Sequence, residues 1–117
     1  MNKLKPIASS TLILFFCTLV LVDSANRNYS GTLMDKTCSS SVSNPEKVAK
    51  HTKECALMES CVPDGYGIVV DGKFIKFDEN GDKLASQWLA KTDKLRDLKI
   101  EVTGTMKGDV LMVETVK

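Results

Sequence analysis

The stretch "YGIVVDGKFIKF", Tyr66–Phe77, decides how the rest of the chain reads. Two runs rich in β-branched and aromatic residues flank Asp71-Gly72, a residue pair that accepts the positive φ angles of a two-residue type I′ turn. A β-hairpin follows directly. Working toward the C-terminus, "DENGD" (Asp78–Asp82) reads as a second turn, with Asn80-Gly81 bending the chain and Asp82 starting a helix. Asp78, Asn80 and Asp82 alternate as in the opening of a calcium loop. Such a loop needs glycine at its sixth position and glutamate at its twelfth, and Lys83 and Leu89 stand there instead. "KLASQWLAKT" (Lys83–Thr92) is then a short amphipathic helix with Leu84, Trp88 and Leu89 inward. "LKIEVTGTMKGDVLMVETVK" (Leu98–Lys117) alternates as two strands around Lys107-Gly108-Asp109. Ile100, Val102 and Gly104 share one face.

Toward the N-terminus, "NYSGTLMD" (Asn28–Asp35) is a strand with Tyr29, Gly31 and Leu33 on one side. A polar loop leads into "NPEKVAKHTKECALM". Asn44 can cap a helix there, Pro45 suits its first position and Glu46 complements its positive end. The spacing predicts one helix running to about Glu59, with Val48, His51, Cys55 and Met58 on a single face.

The resulting order is strand, helix, hairpin, helix, hairpin. It predicts a mainly β, α+β fold: a small five-stranded barrel of the oligonucleotide/oligosaccharide-binding (OB) type. One helix is inserted between strands 1 and 2, and another lies between strands 3 and 4. An open antiparallel sheet with two helices on one face is the alternative. Gly104 inside the fourth strand suits the coiling that a barrel needs.

The first residues read as a secretory signal. Lys3 and Lys5 precede an apolar run from Ile7 to Val22, and small residues follow at Ser24 and Ala25. Residues 1–24 are therefore expected to be a signal peptide and residues 25–117 one domain. The run is short for an anchor spanning roughly 30 Å of hydrocarbon, so no membrane span is expected after cleavage. Without Lys3, Lys5 and Asp23, the 16 basic and 15 acidic residues become equal in number. A neutral domain gives no electrostatic basis for nucleic-acid binding. The expected location is periplasmic or extracellular.

Three cysteines lie beyond the leader: Cys38, Cys55 and Cys61. An oxidising compartment makes a disulfide the default. Cys38 could pair with Cys61 or with Cys55, and the odd cysteine stays free or bridges two copies of an otherwise monomeric chain. A Cys38–Cys61 bridge closes a loop of about 23 residues, worth on the order of 3 kcal/mol in the chain-entropy picture. The alternative is chemical. His51, the only histidine, precedes Cys55 by one helical turn. With Cys38 and Cys61 these make a Cys₃His set suited to zinc, or, with Met58 added, a softer set suited to copper. No Cys-x-x-Cys pair opens a helix, as thiol redox catalysis would favour. No nucleophile turn or orienting partner for His51 stands out, so no enzymatic activity is expected.

Four segments, "GTLMDKTC", "HTKECALMESC", "GYGIVVDGKFIKFDENGDK" and "KIEVTGTMKGD", carry a resemblance. They are similar to a pattern of small exported bacterial proteins in which Gly-x-Leu-x-Asp-x-x-Cys precedes His-x-x-x-Cys-Ala and a further cysteine. The likeness spans residues 29–115. It implies an exported barrel-like domain of no established activity, and that Cys38, His51, Cys55 and Cys61 belong to one unit. The function expected is that of a non-enzymatic exported binding or accessory domain, stabilised by a disulfide. Its partner would be a protein, a peptide or a small ligand.

Overall fold

The structure is a computed structural model that describes residues 26–117. The expected signal peptide, residues 1–24, lies outside the described residues. Among the described residues no helix is long and apolar enough to cross a membrane.

Among the described residues the fold is mixed α+β, with a five-stranded sheet and three α-helices. The strands are β1 (Arg27–Asp35), β2 (Tyr66–Val70), β3 (Lys73–Phe77), β4 (Lys99–Lys107) and β5 (Val110–Val116). The helices are α1 (Pro45–Lys50), α2 (Lys53–Ala56) and α3 (Glu79–Lys91). Strands neighbour one another in the order β1-β2-β3-β5-β4, and β4 pairs back onto β1, so the sheet closes on itself as a barrel. β1 makes this possible by dividing its length. Arg27–Thr32 pairs with β4, and Thr32–Asp35 pairs with β2.

The β2–β3 hairpin forms where the turn chemistry puts it. Asp71 and Gly72 have φ of 50° and 76°, and Ile68 faces Ile75 across the ladder. The inward faces alternate as expected, with Leu33, Ile68, Phe77, Ile100, Val102, Leu111 and Val113 buried in one core. Ala85 and Leu89 of α3 close that core, while Leu84 and Trp88 pack at its margin. A bulge between Thr103 and Gly104 shifts the β4–β5 register. A Cβ on Gly104 would come within 2.4 Å of the Met112 carbonyl oxygen, so glycine is what lets the two backbones close up.

Two helical expectations are corrected. "DENGD" is not a turn, and Asp82 does not start the helix. Asp78 is the N-cap, and Asn80 and Gly81 lie inside the first turn of α3. One carboxylate oxygen of Asp78 accepts from Gly81 N–H at 2.9 Å and from Val113 N–H at 3.1 Å, fastening the helix start to β5. Asp78→Ala should therefore cost about 1–2 kcal/mol, at the upper end for a helix cap. Thermal unfolding reads this, and a change below a few tenths would refute the double role.

The inserted helix is also two helices rather than one. α1 starts as expected, with the Asn44 side chain accepting from Glu46 and Lys47 N–H. It ends at His51, whose ψ of 130° is extended, and Thr52 caps α2 by accepting from Cys55 N–H at 3.1 Å. The break is held by a distant segment. Thr52 bridges to Arg96, Lys53 N–H donates to Leu95 C=O and Asp97 N–H donates to Ala49 C=O. The single face of Val48, His51, Cys55 and Met58 therefore does not exist.

Candidate functional site

The last residue of β1 is an aspartate on the inward side. Asp35 is fully buried, at 0 % exposure. A carboxylate there is costly unless donors surround it. One oxygen accepts from Cys38 N–H at 3.0 Å, so Asp35 also caps the 3₁₀ turn Lys36–Ser41. The other oxygen lies 2.7 Å from His51 Nε2. His51 is 8 % exposed and reaches Asp35 because the chain breaks at His51-Thr52. Its second ring nitrogen, Nδ1, is buried without a hydrogen-bond partner. A buried imidazole normally satisfies both nitrogens, so Nδ1 is a free donor or acceptor site within the cluster.

The thiols gather around this pair. Ligand atoms of Asp35, Cys38 and His51 all lie within 4.8 Å of one another. The Cys61 thiol also bears on the Asp35 carboxylate. Cys55, on α2, is near enough for its charge to act on Cys38. Cys38, Cys55 and Cys61 are all free cysteines, and the expected disulfide is not formed in this structure. Tyr66 forms the wall. It pairs with Asp35 across the β1–β2 ladder, and its hydroxyl donates to Ala56 C=O at 2.8 Å, tying α2 to the barrel.

The ionisations follow from the crowding. Burial alone pushes the Asp35 carboxyl up. The His51 hydrogen bond and charge, Cys38 N–H and the Cys61 thiol together pull it back below 3.8. Burial, and then the Asp35 charge and hydrogen bond, push the Cys38 thiol up to about 11. Burial, and then the charges of Asp35 and Cys61, push Tyr66 up to about 12. As a free thiol at neutral pH, Cys38 therefore keeps its proton and is a poor nucleophile.

Of the residues expected to act together, the structure brings Cys38 and His51 into contact range and places Cys61 and Cys55 beside them. Met58 lies past the end of α2 and is 51 % exposed. Asp35 was not among the expected ligands. Its signal was a carboxylate closing the inward face of an apolar strand, three residues before a cysteine. A cleft of about 630 Å³ lies elsewhere, lined by Ser30, Asp71, Lys99, Glu101 and Lys117. Its charges are exposed and of mixed sign, and no thiol or imidazole lines it. The chemistry is concentrated in the buried cluster.

No protein family, curated protein or solved structure matches the chain.

Proposed function

We propose that the chain is an exported, non-enzymatic domain of the OB type whose ligand is a transition-metal ion, held by Asp35, Cys38, His51 and Cys61. The observation that carries this reading is the convergence of Asp35, Cys38 and His51 ligand atoms within 4.8 Å, the first two from the end of β1 and its following turn and the third from the break between α1 and α2. Ligand atoms around a tetrahedral zinc sit about 2.0–2.3 Å from the ion, and hence roughly 3.3–3.8 Å from one another. His51 and Asp35, now 2.7 Å apart, would spread slightly to admit the ion between them and Cys38. Cys61 lies outside this three-residue group but acts on the same carboxylate, and its thiol would swing in as the fourth ligand. A divalent ion would take the place of the Cys38 thiol proton, and its charge would offset the Asp35 charge that, after burial, raises that thiol.

Zinc fits this donor set better than copper. A carboxylate oxygen beside imidazole and thiolate is a borderline-hard set, and Met58, the thioether that would favour copper, is half exposed beyond the end of α2. The OB reading is supported by the β1-β2-β3-β5-β4 order and by a helix between the third and fourth strands. Export is supported by the sequence of residues 1–24, and Asp35, Cys38, His51 and Cys61 fall within the segments that resemble small exported bacterial proteins.

The test is a zinc titration of the reduced, chelator-stripped protein against a chromophoric competitor, repeated with cobalt. One equivalent should bind, and cobalt should show a thiolate charge-transfer band. His51→Ala should weaken zinc by about 100-fold or more, since even loss of an outer partner of a ligand costs about 10–100-fold. Unchanged affinity in that variant, or no stoichiometric binding by the parent, would overturn the reading.

A further inference from the structure

The pairing of β1 with β2 does not end at Asp35 and Tyr66. One residue further on, Lys36 N–H donates to Gly65 C=O at 3.0 Å. One further still, the Thr37 hydroxyl donates to the Asp64 carboxylate at 2.8 Å. The two segments thus stay zipped together up to the residue before Cys38. On the opposite side, Cys61 heads the 3₁₀ turn Val62–Asp64, and Asp64 N–H folds back to Cys61 C=O at 3.1 Å. The ladder sets the Cys61 backbone alongside the turn that Asp35 caps and that carries Cys38, and the Cys61 thiol is near enough to act on both Asp35 and Cys38. Cys55 comes from α2 and is not part of the ladder.

We propose that Cys38 and Cys61 form a reversible disulfide that switches the metal centre off. The proposal rests on the metal-binding reading above. With both sulfurs reduced the ion has its full set, and with the sulfurs joined only Asp35 and His51 remain, already engaged with each other at 2.7 Å. The co-reactant is a small-molecule disulfide. Cys38 is partly exposed and Cys61 is buried, so the reagent meets Cys38 first. Burial and Asp35 keep the Cys38 thiolate scarce at neutral pH, so this step is slow there and quickens as pH rises. The thiol loses its proton to solvent, and the thiolate attacks one sulfur of the reagent and expels the other half, which takes up a proton to become a thiol. The Cys61 sulfur then attacks Cys38 in that mixed disulfide and expels the second half. The two protein thiols give up two electrons and two protons, and the reagent becomes two thiols.

The experiment treats the metal-free protein with oxidised glutathione, maps the linked peptides by mass spectrometry, and titrates zinc into the oxidised and reduced forms side by side. A Cys38–Cys61 linkage is expected, with Cys55 alkylatable and zinc affinity lowered by more than about 100-fold on oxidation. A reducing dithiol should restore it. Cys55→Ser should behave as the parent in both forms. Linkage through Cys55, or zinc binding by the oxidised form as tight as by the reduced form, would overturn the switch and leave the metal reading standing. Failure of the reduced form to bind zinc would overturn both. The peptide map needs no variant, so misfolding of a cysteine mutant cannot obscure the outcome.

Discussion

Asp35→Ala is expected to destabilise the metal-free protein by about 3–5 kcal/mol, the range seen when one partner of a buried charged pair is removed. The carboxylate has no exposure and is the hydrogen-bond partner of both Cys38 N–H and His51 Nε2. Without it, His51 would hold two unpartnered nitrogens instead of one, and the 3₁₀ turn would lose its cap. Asp35→Asn keeps the volume and one acceptor, so it should cost less. The pair of variants also separates charge from shape through pH. The folded carboxyl lies below 3.8, so the stabilisation from its ionised form is complete above that value and fades as pH falls through the folded pKa. Folding free energy measured on acidification should fall for the parent below about pH 3.8, and that part of the fall should be missing in Asp35→Asn. Superimposable acid limbs would refute the assignment.

Phe77→Ala is the second large effect, again about 3–5 kcal/mol, through the cavity it leaves. Phe77 is buried at the seam where β3 meets β5 in parallel, and only two residue pairs, Lys76 with Val110 and Phe77 with Leu111, are in register there. α3 rests on the same ring. A Cβ added to Gly81 would come within 2.6 Å of both Phe77 Cβ and Val113 Cγ2, so the helix approaches as closely as glycine allows. A domain of this size has about 5–15 kcal/mol in all, so the variant should be near the edge of folding. Urea unfolding measures it, and a loss under about 1 kcal/mol would mean that the seam repacks.

What the sequence made legible was whatever is decided locally. The β2–β3 hairpin is fixed by two turn residues, and the Asn44-Pro45 helix start by its own side chain. The illegible parts depend on distant contacts. The helix breaks at His51 because Asp35 holds its ring and because residues 95–97 hold the backbone on either side. Asn80-Gly81 looked like a turn because glycine is used most often for its conformational freedom, whereas here it is used for its lack of volume. Asp35 was passed over because buried carboxylates are rare, and its donors come from three other places in the chain. Cys38 and His51 were legible as a unit, but the spacing that added Met58 assumed an unbroken helix.

The clasp between α1–α2 and residues 95–97 also bears on the order in which the molecule assembles. His51 is set in place by hydrogen bonds to a segment that lies more than 40 residues further along and leads straight into β4. Closing so long a loop is slow compared with forming a local hairpin. The β2–β3 hairpin and the Asn44-capped turn can form early, but the histidine reaches its position only once the C-terminal strands have docked. The cluster is thus a late product of folding, and its ligand affinity would report a finished barrel rather than help to build one.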